Sequence, residues 1–183
     1  MQTVPKKPKL ELISFSKLDR SDLEMICEWR NRPEIRAEMF NTERISLDDH
    51  LEFCRGLANR SDCYYFLIRL CDKPCGVIDI TGIKGRSCEG GCYFVDGPDY
   101  LKTDANLAIY MVYKQLHLEA PRVSVKKTNL KALFFNTMKL GLSVIDEDTE
   151  YYYLCCENPV AFWARRDLDL VRINEKYEVI VVI

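Results

Sequence analysis

The segment GCYFVDGPDYLKTDANLAIYMVYKQLHL, Gly91 to Leu118, is apolar or small up to Val95, breaks at Asp96-Gly97-Pro98, and is apolar almost all round from Leu107 to Leu116. A strand, a loop and a buried helix satisfy that order. A helix expected to begin near Leu107 leaves Lys102, Thr103, Asp104, Ala105 and Asn106 in the loop before it. Unpaired backbone N–H groups at a helix start form an anion cradle, so this loop is the first candidate binding element.

The flanking chain supplies the rest of the layout. CYYFLIRL (Cys63 to Leu70), CGVIDITGI (Cys75 to Ile83) and CEGGCYFV (Cys88 to Val95) are strand-like runs separated by the turns CDKP and KGRS. Links this short make the strands antiparallel. LELISF (Leu10 to Phe15) reads as a strand before them, and PRVSVKK (Pro121 to Lys127) and EYYYLCCE (Glu150 to Glu157) as strands after them, with a helix from Asn129 to Leu140 stopped by Gly141. At the C-terminal end, FWARR reads as a short helix and Tyr177 to Ile183 as a closing strand. The expectation is α+β, with a single mixed, mostly antiparallel sheet flanked by helices.

Before the meander, Asp19 or Ser21 caps a helix, and Ser46 with Asp49 caps another that carries His50. Between them, Pro33 breaks the chain at Trp29, Arg30, Asn31 and Arg32, with Met39 and Phe40 closing the second segment. Guanidinium forks match phosphate geometry and aromatic rings stack on bases or sugars, so Trp29, Arg30, Asn31, Met39, Phe40 and His50 are candidate substrate contacts. Packing is the alternative for Trp29 and His50.

With 48% hydrophobic and 30% charged residues in a 183-residue chain, one ordinary domain with a full core is expected. Lys and Arg total 26 against 28 Asp and Glu, a balance that argues against bulk nucleic-acid binding. The 9 cysteines are scattered, and with His50 and His117 they form no zinc-type spacing, so no metal is expected. An odd cysteine count with a polar, basic start points to reduced thiols in a cytoplasm, and no apolar run is long enough for a membrane span.

Three stretches in this order resemble the GNAT superfamily of N-acetyltransferases. The first is the strand, loop and helix around Pro98; the second is NLKALFFNTMKLGL (Asn129 to Leu142), one residue longer than the family helix it is similar to. The third, EWRNRPEIRAEMFNTERISLDDHLEF (Glu28 to Phe53) followed by GVIDIT, resembles acetyltransferases that acylate nucleotide-linked amino sugars, notably those of pseudaminic acid biosynthesis. The resemblance covers residues 10–157, leaving residues 1–9 as a flexible tail and residues 158–183 as an extension packed on the same domain.

What the resemblance implies is a sheet splayed at its central strands, with acetyl-CoA held in the splay. Tyr93, Phe94, Val95, the loop Lys102 to Asn106 and Asn129 are then cofactor contacts. The acceptor is a small molecule, a nucleotide sugar by preference, with no nucleic acid or membrane partner and with room for a homodimer. Direct attack of an amine on the thioester needs a base, for which Asp79 or Glu89 is placed, while Asn136 stands where many family members carry a tyrosine acid. The family phosphate pattern R/Q-x-x-G-x-G/A falls on Leu101 to Asn106 without a match at its key positions; a shift of one residue brings Lys102 and Ala105 to the basic and small ones. A GNAT-fold module without catalysis, or transfer to a protein N-terminus or an amino acid, are the alternatives.

Overall fold

The computed structural model describes residues 6–183. In chain order its first half holds β1 (Lys9–Ser14), α1 (Arg20–Arg30), α2 (Pro33–Arg36), α3 (Leu47–Gly56), β2 (Tyr64–Leu70), β3 (Lys73–Lys84) and β4 (Ser87–Phe94). The second half holds α4 (Asp99–Ala108), α5 (Tyr110–Gln115), β5 (Val123–Lys126), α6 (Leu130–Phe134), β6 (Ser143–Glu147), β7 (Tyr151–Cys155), α7 (Pro159–Lys176) and β8 (Glu178–Val182).

The meander forms as expected: β1, β2, β3 and β4 pair antiparallel in sequence. The β2–β3 link is a two-residue turn in which Cys71 and Asp72 both take positive φ, 49° and 66°, the twist that suits a tight hairpin. β8 then adds parallel to β1, giving the order β4-β3-β2-β1-β8, while β5, β7 and β6 form a second, antiparallel arm.

The two arms meet at one point. Gly90 N–H donates to Arg122 O and Arg122 N–H to Cys88 O, each at 3.0 Å, and Glu89 bridges Arg122 there. Beyond that bridge β4 and β5 share no ladder, so the single mixed sheet is split along its middle from Gly91 onward. This is the splay the fold needs.

Alternation along the strands divides the core. Leu10, Leu12, Phe66, Ile68, Ile78 and Ile80 lie in one buried cluster with residues of α4, α5 and α7, while Leu67 and Val77 join Ile26, Trp29, Ile35 and Cys54 on the side of α1, α2 and α3. Asp19 caps α1 by accepting from Asp22 N–H, and Ser46 caps α3 by accepting from Asp49 N–H.

Four expectations change. The helix after the splay starts at Asp99, not Leu107, so Lys102 to Asn106 are helical. Leu101, Asp104 and Ala105 are buried at i, i+3 and i+4, and the two polar members of this stretch find partners: Asp104 accepts from Lys176 and Tyr177, and the Asn106 amide donates to Cys92 Sγ at 3.1 Å. A period read from apolar residues alone misses buried polar groups satisfied by distant partners.

FWARR belongs to an 18-residue helix, capped by Asn158, whose inner positions are Phe162, Arg166, Leu170 and Ile173. A fully buried arginine among them hid the apolar period. β6 follows Gly141 where no strand was expected. Finally, the expected tail over residues 1–9 is tied down where it is described, since Glu178 N–H donates to Pro8 O at 3.0 Å and Lys9 opens β1; residues 1–5 lie outside the described residues.

Candidate active site

Asp79 stands on β3 directly opposite Gly91 of β4, at the point where β4 parts from β5. A Cβ on Gly91 would lie 2.9 Å from both Asp79 carboxylate oxygens, so the missing side chain is what lets the carboxylate lie across β4. The Asp79 carboxylate is half-buried and has no hydrogen bond to protein among the described residues. Burial, and then the charge of Glu89, raise its pKa to about 7. Glu89 itself is exposed and lies on the same strand face, two residues before Gly91.

The open edge of β4 follows from parity. Since Cys88 O and Gly90 N–H face β5, the backbone groups of Cys92 and Phe94 face it too, but beyond the bridge no strand receives them. Val95 N–H, by contrast, turns back to Cys75 O at 3.0 Å. Of the expected trio on this strand, Phe94 offers free backbone to the splay, whereas Tyr93 turns its side chain to the Asp79 face. Cys92, whose backbone faces the same open edge, was not among the candidates.

Gly97, at φ 97°, turns the chain from β4 into α4, with Pro98 as N-cap. Leu101 and Lys102 N–H return to Pro98 O, so it is Asp99 and Tyr100 whose N–H groups are free at the positive end of α4. Lys102 projects from this first turn, 3.4 Å from the fully exposed Asp99. Thr103 bonds back to Asp99 O, Asp104, Ala105 and Asn106 are buried, and Gly97 N–H is taken by Asp96 Oδ1 at 2.7 Å, so the free N–H groups of this turn are those of Asp99 and Tyr100, with Lys102 beside them. The residues aligned with the phosphate pattern are inside a helix.

The kink residues separate. Trp29 is only 6% exposed and belongs to the core, so its indole has no face for a ligand. Asn31 clamps the backbone of Ile45 with both halves of its amide, at 2.8 Å each. His50 is buried with Cys54 Sγ 3.6 Å from its Nε2, and burial lowers its pKa. Each of the three is engaged by the protein itself. Arg30 instead reaches Asn41 O at 2.6 Å and keeps a buried Nη1 without a partner. Met39 is half-buried, and Phe40, 68% exposed, stacks on Tyr151 of the other arm at 4.8 Å. Lys126 of β5 donates to Ala37 O at 2.6 Å, so the segment after α2 spans the mouth of the splay.

Asn129 caps α6 by accepting from Ala132 N–H at 3.0 Å, and Asn136 donates to Ala132 O at 2.9 Å. The latter sits in a π-helical turn, Phe135–Lys139, which absorbs the residue by which this helix exceeds the family pattern.

No family model matches the chain. Two Campylobacter jejuni acetyltransferases named PseH are 32% and 31% identical to it over 150 and 149 residues, 80% of this chain and 92% of each relative. The chain belongs to the PseH family of acetyltransferases. The crystal structure of Campylobacter jejuni N-acetyltransferase PseH, known also in complex with acetyl coenzyme A, is similar at a TM-score of 0.63 and 27% identity, covering 80% of this chain and 96% of that one. Apo FdhC, a nucleotide-linked sugar GNAT, is similar at 0.69 and 21% identity over 92% of this chain and 95% of its own. A Vibrio cholerae spermidine N-acetyltransferase reaches 0.72 at 19% identity over 84% and 98%. The last two show that the fold is GNAT.

The groups present fit acetyl-CoA. The unpaired Cys92 and Phe94 backbone suits an amide-rich pantetheine arm, and the α4 N-terminus with Lys102 suits a pyrophosphate. Among the described residues no helix is long and apolar enough to cross a membrane.

Proposed function

We propose that this acetyltransferase moves the acetyl group of acetyl-CoA to the amino group of a nucleotide-linked amino sugar by direct attack on the thioester. One observation carries the reading: an unpaired carboxylate whose pKa is raised to about 7 lies over Gly91 where the strands part. A base poised near neutrality is what an alkylammonium acceptor needs, because only the deprotonated amine is a nucleophile.

Acetyl-CoA, when bound, supplies the acetyl group as a thioester. Asp79 takes a proton from the acceptor's ammonium, directly or through a water, leaving the nitrogen lone pair to form the C–N bond as the C–S bond breaks. One free N–H on the splayed edge, that of Cys92 or that of Phe94, donates to the carbonyl oxygen as charge gathers on it; the two are about 7 Å apart along the strand and do not share it. Asn136 can supply no proton and its N–H is engaged by Ala132 O, which leaves water to protonate the departing thiolate.

The nucleotide part is supported by the cationic, aromatic mouth of the splay and by the resemblance of Glu28 to Phe53 to acetyltransferases of nucleotide-linked amino sugars. Acceptor profiling tests it: acetyl transfer from acetyl-CoA to UDP-linked amino sugars, with little to peptides or free amino acids, is expected. Transfer to peptides alone would overturn it.

A further inference from the structure

The first turn of α4 is only partly fastened by its own sequence. Pro98 at the N-cap offers no side-chain hydrogen bond, Gly97 before it takes φ 97°, and the Asp99 carboxylate is fully exposed. Leu101 packs beneath the turn at 2% exposure. A further hold comes from the C-terminal extension, outside the residues that resemble the acetyltransferases.

Lys176 ends α7 and Tyr177 follows it, just before β8 pairs with β1, so both residues sit between anchored elements. Lys176 Nζ lies 2.5 Å from Asp104 Oδ2 and 4.6 Å from the centre of the Tyr100 ring, and the Tyr177 hydroxyl donates to the same carboxylate oxygen at 3.0 Å. Tyr100 and Asp104, four residues apart, share one face of α4, so a single ammonium group spans its first two turns from outside. Tyr100 is also one of the two residues whose N–H groups are free for an anion. A cation beside the positive end of a helix is unfavourable by itself. Here the buried Asp104 carboxylate offsets it, and Asp104 first, then Tyr177, raise the Lys176 pKa and keep the ammonium charged.

Resting on the reading of acetyl-CoA at this turn, we propose that Lys176 is a positioning residue for the cofactor: through Asp104 and Tyr100 it fixes the first turn of α4 so that the Asp99 and Tyr100 N–H groups point at the pyrophosphate. The extension thereby sets cofactor affinity without touching the reacting atoms. A turn ordered before binding loses less freedom when the phosphates arrive. A turn released from the clasp is competent for only part of the time, and its affinity falls by that fraction.

The test is calorimetric titration of the full-length protein and its Lys176→Met variant with CoA and with dephospho-CoA, alongside hydrogen exchange of both proteins without ligand. Lys176→Met should weaken both ligands by the same factor, about three- to tenfold, and raise the acetyl-CoA KM to match, with kcat and the acceptor KM unchanged. The amides of Leu101 to Asn106 should exchange faster in the variant before any ligand is added. Lys176→Arg, which keeps the ion pair, should restore most of the affinity. Melting curves establish folding; Tyr177→Phe, which removes one hydroxyl, should show a smaller loss in the same direction and serves if Lys176→Met does not fold. A lower melting temperature with unchanged CoA affinity would make the clasp structural only and overturn the proposal. A loss seen with CoA but absent with dephospho-CoA would overturn it as well, by making Lys176 a direct contact of the 3′-phosphate. If the parent acetylates an amino sugar and Lys176→Met does so at the same acetyl-CoA KM, the positioning role falls and the proposed function stands. If the parent shows no saturable binding of CoA or acetyl-CoA, the cofactor reading falls and takes the positioning role with it.

Discussion

Lys176 Nζ lies 2.5 Å from Asp104 Oδ2, and the Tyr177 hydroxyl donates to the same oxygen at 3.0 Å. The pair joins the end of α7 to the middle of α4, so the C-terminal extension grips the helix whose first turn faces the splay. The Asp104 carboxylate, within the stretch aligned with the phosphate pattern, is therefore turned into the protein and neutralised there.

Asp104→Gly should destabilise the protein rather than improve cofactor binding. It strips two hydrogen bonds from a residue 7% exposed and puts glycine in a helix interior, together about 2–4 kcal/mol. Thermal melts should show a fall of roughly 5–15 °C. Acetyl-CoA affinity, measured below the transition, should not rise.

Asp79 sets the pH dependence. Its pKa is raised from 3.8 to about 7, so kcat/KM should climb through about pH 7 and level off above it. Stability runs the other way: the native protein keeps a proton that the unfolded chain has released, so this contribution is full below 3.8 and is lost as pH rises through about 7. Asp79→Asn should lower transfer by about 10²–10⁴-fold and abolish the limb, with no loss of melting temperature at pH 8.

Gly91→Ala probes the placement of that carboxylate. The new methyl meets both Asp79 oxygens at 2.9 Å, forcing the side chain to swing away. A misplaced base costs up to about 10²-fold in kcat, while the rotamer strain costs only about 0.5–1.5 kcal/mol. Equal activity of the folded variant and the parent would remove Asp79 from the reaction.

Trp29 and Phe40, both aromatic and both near the α1–α2 break, should separate by phenotype. Trp29→Ala opens a cavity in the core and should cost about 3–5 kcal/mol, visible in denaturant titration. Phe40→Ala removes an exposed ring stacked on Tyr151 and should change stability by no more than about 1.5 kcal/mol, but raise the acceptor KM by about tenfold. A Phe40→Ala protein with unaltered KM would leave the ring without a part in acceptor binding.

Much of this molecule was legible in its sequence because local chemistry decides it. Two-residue alternation gave the meander, short links made it antiparallel, Ser46 and Asp19 started helices, and Asp79 between Ile78 and Ile80 had to face away from the apolar pair. Two of the misreadings, the start of α4 and the length of α7, share one cause: polar residues at core positions. Asp104, Asn106 and Arg166 look like solvent residues to any periodicity argument, and so a helix was taken for a loop and an 18-residue helix for a short one.

The sequence by itself determined the order of strands and helices and the residue types available for chemistry, since both depend on neighbours a few positions apart. Tertiary structure decided which of those groups are free to react. Asp104 is bound by a lysine 72 residues away, Asn31 is engaged by the backbone of Ile45, and Trp29 is enclosed by the core, whereas Asp79 keeps its carboxylate free because Gly91 across the ladder has no side chain. Each outcome depends on a partner brought up by folding, and on whether burial leaves a polar group satisfied or unpaired.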